Sequence, residues 1–494
     1  MKKTIYAVII TLLHFLTFSQ NVTLISGSEK IKWLELNFNL VGADNQGFYT
    51  IDCSLDMLNN FTLTKYSSAD MNKIYSQKIQ TPSVNNKKCQ AKKILLLDNV
   101  LVLFTTLYDG TDDLHKLYAN KFNPDGSLNP DSKLIAEIKT IDKKTKGFFK
   151  LSLSESKKTI LVLAERPSNE TDRISYDWKV IDKDLNTLWD KSINLPYYGI
   201  DSDLIVKMEY KNDKIYFIAT NLKDISNKDR KNAIAENKLY CYDLKTSKLT
   251  DIVLNVTTKS LFDLNINFND KNQVILTGLY TFSNLLDKQV FFNKTNMLRK
   301  VNGAFCSIYS ENLIETIYED SIESIVEGYL HYINDVHIQK DGTIILISEN
   351  REYKEGASTD HFSRDAFIFA FNSINKAKWS KRIKKTQHDV GENELFSTIS
   401  LSNNNNNLAL LVNDNKENIV EKNGDNLTFQ NFTLKKNAKT NIINLDTKGN
   451  SLVQEFSNSE DVLYCGVKCR ISPNEMIIAL KTNNGNVYGK ITLK

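Results

Sequence analysis

The sequence predicts an all-β fold, a β-propeller of eight four-stranded blades, on three observations. Short segments of alternating apolar residues run the length of the chain, one hairpin signature recurs seven times, and a more apolar hairpin precedes each copy. Four antiparallel strands per repeat are the pattern of a closed ring. Such a ring places all 494 residues in one domain, where length alone suggests about three. Long helical periodicity is nearly absent, and Lys228 to Glu236 is the one short helix the pattern allows.

Residues 1–19 read as a signal peptide. Lys2 and Lys3 form a basic start, Ile5 to Phe18 an apolar run, and Thr17 and Ser19 the small residues before a cut near Gln20. The run is shorter than the roughly 20 residues a membrane helix needs. The expected mature chain, 20–494, is a single exported domain, periplasmic or extracellular, without a transmembrane segment.

The repeat units fall at about 31–80, 93–139, 148–195, 204–256, 261–323, 329–385, 395–457 and 462–494. In seven of them an apolar anchor is followed at once by a small turn-former: Tyr66-Ser67, Phe122-Asn123, Ile181-Asp182, Tyr242-Asp243, Tyr309-Ser310, Phe371-Asn372 and Leu445-Asp446. A short polar side chain there can bond to main chain two residues on and set the turn. Trp189 and Trp379 both lie eight residues after their anchors, which supports the register. The eighth unit has only three strands. A strand near Asn21 to Ile25 is expected to complete it and cover the open edge. Seven blades is the alternative, should the weak first unit be irregular.

The charge is nearly balanced, 63 Lys and Arg against 59 Asp and Glu, with no basic stripe, so nucleic acid is not an expected partner. Cys53, Cys89, Cys241, Cys306, Cys465 and Cys469 are too scattered for a disulfide scaffold. Buried free thiols are expected, with one long-range disulfide as the alternative.

The stretch 348–414 carries W-x-K-x-I-x-K-x-Q at Trp379, Lys381, Ile383, Lys385 and Gln387, and its later strand ends in Asn413-Asp414. In these residues it resembles secreted Bacteroidota proteins built of β-propeller-like repeats. The resemblance implies export and the repeat fold, and brings no activity with it.

Motifs of chemistry are sparse. There is no G-x-S-x-G elbow, H-E-x-x-H, G-x-G-x-x-G or Walker loop. His331 and His337, evenly spaced on one inner strand, could share a face and a metal, although ordinary strand roles are the plainer expectation. Asp109, Asp112, Asp113 and His115 suit a Ca2+ ion by ligand type, or else form a simple turn. No other cofactor is expected. Acid pairs such as Glu319-Asp320 or Glu349 with Glu352 could serve a glycosidase, but the sequence does not set their separation.

One asymmetry points to binding. The segments Leu222 to Asn237, Phe282 to Asn302, Asn350 to Arg364 and Asp414 to Ala438 lengthen the connection between second and third strands in four consecutive units. These loops would share the face that carries the blade-to-blade links. Leu285, Leu286, Phe291 and Phe292, apolar for a loop, and Glu352 and Tyr353 are the interaction candidates. The function expected is an exported, non-enzymatic binding or scaffold module of the cell envelope, with protein or glycan as ligand. The alternative is a propeller-fold glycan-active hydrolase or lyase.

Overall fold

The computed structural model describes residues 22–31, 39–52, 60–141, 145–167, 173–198, 205–222, 235–254, 260–281, 301–310, 313–321, 330–354, 360–372, 374, 378–390, 398–403, 406–415, 421–423, 426–433, 438–456, 462–482 and 485–494. The strands form eight blades whose sheet order follows the chain: 39–80, 90–139, 148–198, 205–253, 260–321, 330–390, 399–455, and 462–493 joined by the N-terminal strand. First strands lie against one another between blades 1 and 2, 3 and 4, and 4 and 5, and Asn39–Ala43 of blade 1 also meets Val462–Ser472 of blade 8. The ring is a closed eight-bladed β-propeller.

Closure is made where the incomplete last repeat predicted it. Val22–Ser26 runs antiparallel to Gly485–Leu493, from Val22 opposite Leu493 to Ser26 opposite Gly489. The chain then continues the seam, since the Gly27 and Ile31 amides donate to the Tyr488 and Asn486 carbonyls at 2.9 and 2.7 Å. Ile31 is buried with Phe48, Tyr66, Met71 and Tyr488 between blades 8 and 1.

The repeated turn-former does what its chemistry suggests. The carboxylates of Asp182, Asp243 and Asp446 accept the amides of Asp184, Lys245 and Lys448 at 2.9–3.0 Å. Asn372 does the same to Ile374 at 2.9 Å, and the Ser67 hydroxyl to Ala69 at 3.2 Å. Each bond closes the turn between third and fourth strands two residues beyond the turn-former.

The register of the two tryptophans also has a physical basis. Opposite the residue before the anchor, the outer strand presents Tyr75 in blade 1, Trp189 in blade 3 and Trp379 in blade 6. Each ring reaches the next blade's turn. Trp189 lies 5.5 Å from the Tyr242 ring, and the Trp379 indole N–H donates to the Thr447 carbonyl at 3.0 Å. Gly126 and Gly449, with φ of +84° and +82°, leave room that a Cβ would take from Tyr75 and Trp379.

Bulges set the inner strands apart. Extra residues interrupt the first-to-second strand register at Val41, Lys92, Val206 and Asn334, and longer irregularities at 263–264 and 465–467. A bulge inverts the alternation of faces beyond it. His331 and His337 pair with Asn350 and Ile345, an odd separation, so they face opposite blades instead of converging.

Two expected loops turn out to be strands. Thr343–Lys354 and Asp360–Asn372 pair to Lys354 opposite Asp360, so most of 350–364 is a tall hairpin rather than a loop. Within 414–438, Asn426–Thr433 pairs in parallel with the outer strand Lys378–Val390, and Glu421–Asn423 pairs with Asn426–Thr433. Blade 6 thereby becomes a six-stranded sheet extended by the connection of blade 7. Period-2 patterning marks a strand but does not name its partner, so this addition was invisible beforehand. Of Lys228 to Glu236, Ala235 and Glu236 begin a strand, and the remainder lies outside the described residues. No described helix is long and apolar enough to cross a membrane. The proposed signal peptide lies outside the described residues.

Deleting residues 20–28 should lower the melting temperature by about 5 °C or more, because it strips the outer strand from blade 8. Thermal unfolding followed by circular dichroism measures this, and an unchanged midpoint would contradict closure by this strand. Gly449→Ala should cost about 1–3 kcal/mol in urea unfolding, since it imposes a left-handed backbone on alanine under the Trp379 ring.

Candidate functional site

Polar and charged groups on the first strands of blades 6 to 8 form one seam. On the inner strand of blade 6, Leu330–Ile338, the bulge at Asn334 turns Asp335 and His337 toward blade 7. Ser400 and Ser402 come from the inner strand of blade 7, and Arg470 from that of blade 8. The His337 Nδ1 and Nε2 atoms each lie 2.9 Å from a serine hydroxyl, Ser402 and Ser400 respectively. Ser400 Oγ–H donates to Asp335 Oδ2 at 2.6 Å, and the Arg470 guanidinium pairs with the same oxygen while donating to the Ser400 carbonyl at 2.8 Å. Burial pushes the Asp335 carboxyl up, but His337, Arg470 and Ser400 outweigh it and hold the group well below the usual carboxylate range.

The network assigns the protons. With the Ser400 proton on the bond to Asp335, the His337 nitrogen facing Ser400 is the donor, Nε2–H to Ser400 Oγ. His337 thus acts as donor to Ser400 and not as its base. A nucleophilic serine needs the reverse arrangement.

Farther out, Glu349 is fully buried on the second strand of blade 6. It forms an ion pair with Lys385 and accepts from Asn334 Nδ2 at 2.8 Å and from the Thr398 amide and hydroxyl at 3.1 and 3.0 Å. Lys385 also donates to the Ser363 hydroxyl and to the Gln387 side-chain oxygen Oε1, both at 2.7 Å, and Gln387 Nε2 donates to the Asn413 main-chain carbonyl at 2.7 Å. Burial raises the Glu349 carboxyl, yet the charges of Lys385 and Arg351 and the bonds from Lys385 and Asn334 prevail and hold it at about 2.

The sequence motif is this seam seen along one strand. Trp379, Lys381, Ile383, Lys385 and Gln387 are alternate residues and share a face. Lys381 donates to Ser451 at 3.0 Å, Ile383 is in the core between blades 6 and 7, and Asn413 and Asp414 accept from Thr440 and Asn441 at 3.1 and 2.9 Å. Every member of the motif faces protein.

The other candidates are placed as follows. Asp109 meets two ammonium groups, Lys87 at 2.7 Å and Lys116 at 3.4 Å. The Lys87 hydrogen bond, with the Thr111 amide, holds its carboxyl well below the usual range. Asp112 lies 3.6 Å from Lys116. Asp113, at φ +52°, receives the Tyr108 hydroxyl on its carboxylate at 3.4 Å and both Thr140 donors on its carbonyl. His115 pairs with Tyr108 on the opposite face and packs against Phe149, where burial, with the charge of Lys146, lowers it to about 4. The structure thus separates the imidazole from the acids. His331 packs against Phe367, and burial lowers it to about 3, with the charge of Arg382 adding. Among the described residues no group of three or more His, Cys, Asp or Glu is placed to hold a metal.

Glu352 and Tyr353 pair with Phe362 and His361 in the tall hairpin. Leu285, Leu286, Phe291 and Phe292 lie outside the described residues. Cys89, Cys241, Cys306 and Cys469 are free thiols. Sequence reasoning missed Asp335, Ser400, Ser402 and Arg470. Each is an unremarkable residue on its own strand, and only ring closure brings them together.

No family model matches the chain. No curated protein matches it either. Solved structures that resemble it include a variant of the Synechocystis apocarotenoid oxygenase, at 7% identity and a TM-score of 0.36, covering 72% of this chain and 75% of that one. Another is the β-propeller domain of the Trilobed protease from Pyrococcus furiosus, at 10% identity and a TM-score of 0.32, covering 69% and 92%. At these identities no activity carries over.

Replacing Lys385 by Met should cost about 3–5 kcal/mol, because Glu349 would stay buried without its main counter-charge. The double variant Glu349→Gln, Lys385→Met should recover much of that loss in urea unfolding. The pair also sets an acid limit. The Glu349 carboxyl is held at about 2 against an ordinary 4.5, so its stabilisation is complete above pH 4.5 and is lost as pH falls toward 2. The double variant should lose less stability over that window, as an acid titration of the urea midpoint would read.

Proposed function

We propose that the chain is an exported, non-enzymatic binding or scaffold module of the cell envelope, with protein or glycan as its ligand. The observation that carries the reading is the closed state of the polar seam. Asp335 is held by Arg470 and Ser400, Glu349 by Lys385, Asn334 and Thr398, and His337 by two serines. Groups that could have done acid–base or nucleophilic work are instead spent on one another, which stiffens the ring and leaves recognition to its faces and clefts. Rigid scaffolds bearing variable surface segments are a common basis for binding. The enlarged blade 6 adds sheet to one arc of the ring and fits this role.

The full chain should retain a protein or glycan from envelope material, identified by glycan array and by crosslinking with mass spectrometry. It should release no new reducing ends or unsaturated sugars from the glycans it retains. Turnover that disappears in Asp335→Asn or Glu349→Gln would overturn the reading in favour of the enzyme.

A further inference from the structure

Three outer strands wedge an aromatic ring against the next blade, at Tyr75, Trp189 and Trp379. Blade 4 does not. Counted by register, the equivalent residue is opposite Cys241, the residue before the anchor Tyr242, and it is Thr250. At that place the wedge between blades 4 and 5 is open, as a cavity of about 210 Å3. Blade 4 lines it with Lys214, Tyr216, Cys241 and Thr250, and blade 5 with Lys271, Gln273, Tyr309 and Ser310 among others.

We propose that this cavity is a binding site for a single sugar unit bearing a carboxylate, at the end of or along a glycan. The inference rests on the glycan form of the function above and names its ligand class and place. Four observations argue for it. An aromatic ring fills the matching space in blades 1, 3 and 6, so a six-membered ring is the size the wedge accommodates; a cavity of about 150 Å3 already admits benzene. The lining is polar, with the Gln273 amide bonded to Asn269 at 2.7 Å and to Ser310 at 3.3 Å, which fixes a donor and acceptor edge. Tyr216 gives the wall a fixed aromatic surface, held edge-on against Phe268 at 5.3 Å. Two cations, Lys214 and Lys271, border the space, and the charge of Lys214 also acts on Asp243. A hydroxylated ring meets the amide, hydroxyl and aromatic surfaces, and its carboxylate meets the lysines. Cys241 stays a protonated thiol, because burial pushes it up, and contributes only bulk.

The test uses the occupant nature placed in the sister sites. Thr250→Trp should fill the cavity as Trp189 and Trp379 fill theirs, and a melting temperature at or above that of the parent shows that it folds. Glucuronate, galacturonate and glucose are the probes, titrated into the full chain and followed by saturation-transfer NMR. A uronate should bind saturably and glucose at least tenfold more weakly. Binding should vanish in Thr250→Trp and fall at least tenfold in the double variant Lys214→Gln, Lys271→Gln. No saturable uronate binding by the parent protein, or binding undiminished in a folded Thr250→Trp, would overturn the proposal. A parent chain that retains glycans on an array equally well with Trp at 250 would overturn this site while leaving the proposed function intact.

Discussion

Blades that radiate from an axis diverge toward the rim, and the wedge between each pair must be filled for the ring to hold. Interiors tolerate little empty volume, so each interface has to find its own filler. Between blades 1 and 2, 3 and 4, and 6 and 7, an outer-strand ring does this against the following turn. Between blades 8 and 1, Phe48, Tyr66 and Tyr488 pack together with centroids 4.9–5.2 Å apart. The closing strand Val22–Ser26 matters for the same reason, since it completes the sheet that carries Tyr488. Blades 4, 5 and 7 carry Thr250, Thr316 and Leu452 at the matching register, and beside Thr250 the wedge holds a cavity.

The interface of blades 6 and 7 solves the problem with charge as well as bulk. A buried ion pair is expensive, because the desolvation of both ions must be offset by well-placed partners. Glu349 and Lys385 have them on both sides, from Asn334, Thr398, Ser363 and Gln387. The alternation of Lys381, Ile383, Lys385 and Gln387 is therefore a packing code. Its side chains are engaged inside the molecule, at Ser451, Glu349, Ser363 and the Asn413 carbonyl.

Local features were legible from sequence and non-local ones were not. Asp182, Asp243, Asn372 and Asp446 set turns through bonds only two residues long, so the repeat could be counted from them. The missing outer strand of the eighth unit announced its replacement because an open edge is costly. The bulge at Asn334 left no trace in composition, yet it decides that His337 meets Ser400 and His331 meets Phe367. The parallel strand Asn426–Thr433 carries nothing in its own residues that names the strand Lys378–Val390 as its neighbour. The seam residues Asp335, Ser400 and Arg470 lie on three blades, and their meeting is a property of the ring.

The two arcs of the ring therefore differ in kind. Blades 1 to 4 are joined by aromatic and aliphatic packing, which accepts volume-conserving exchange. Blades 6 to 8 add to their apolar cores a set of donors and acceptors, so a misplaced neighbour would leave Glu349 or Asp335 buried without a counter-charge. Such a penalty selects the correct order of blades more sharply than apolar contact can. The seam ends at blade 8, the blade that the N-terminal strand completes.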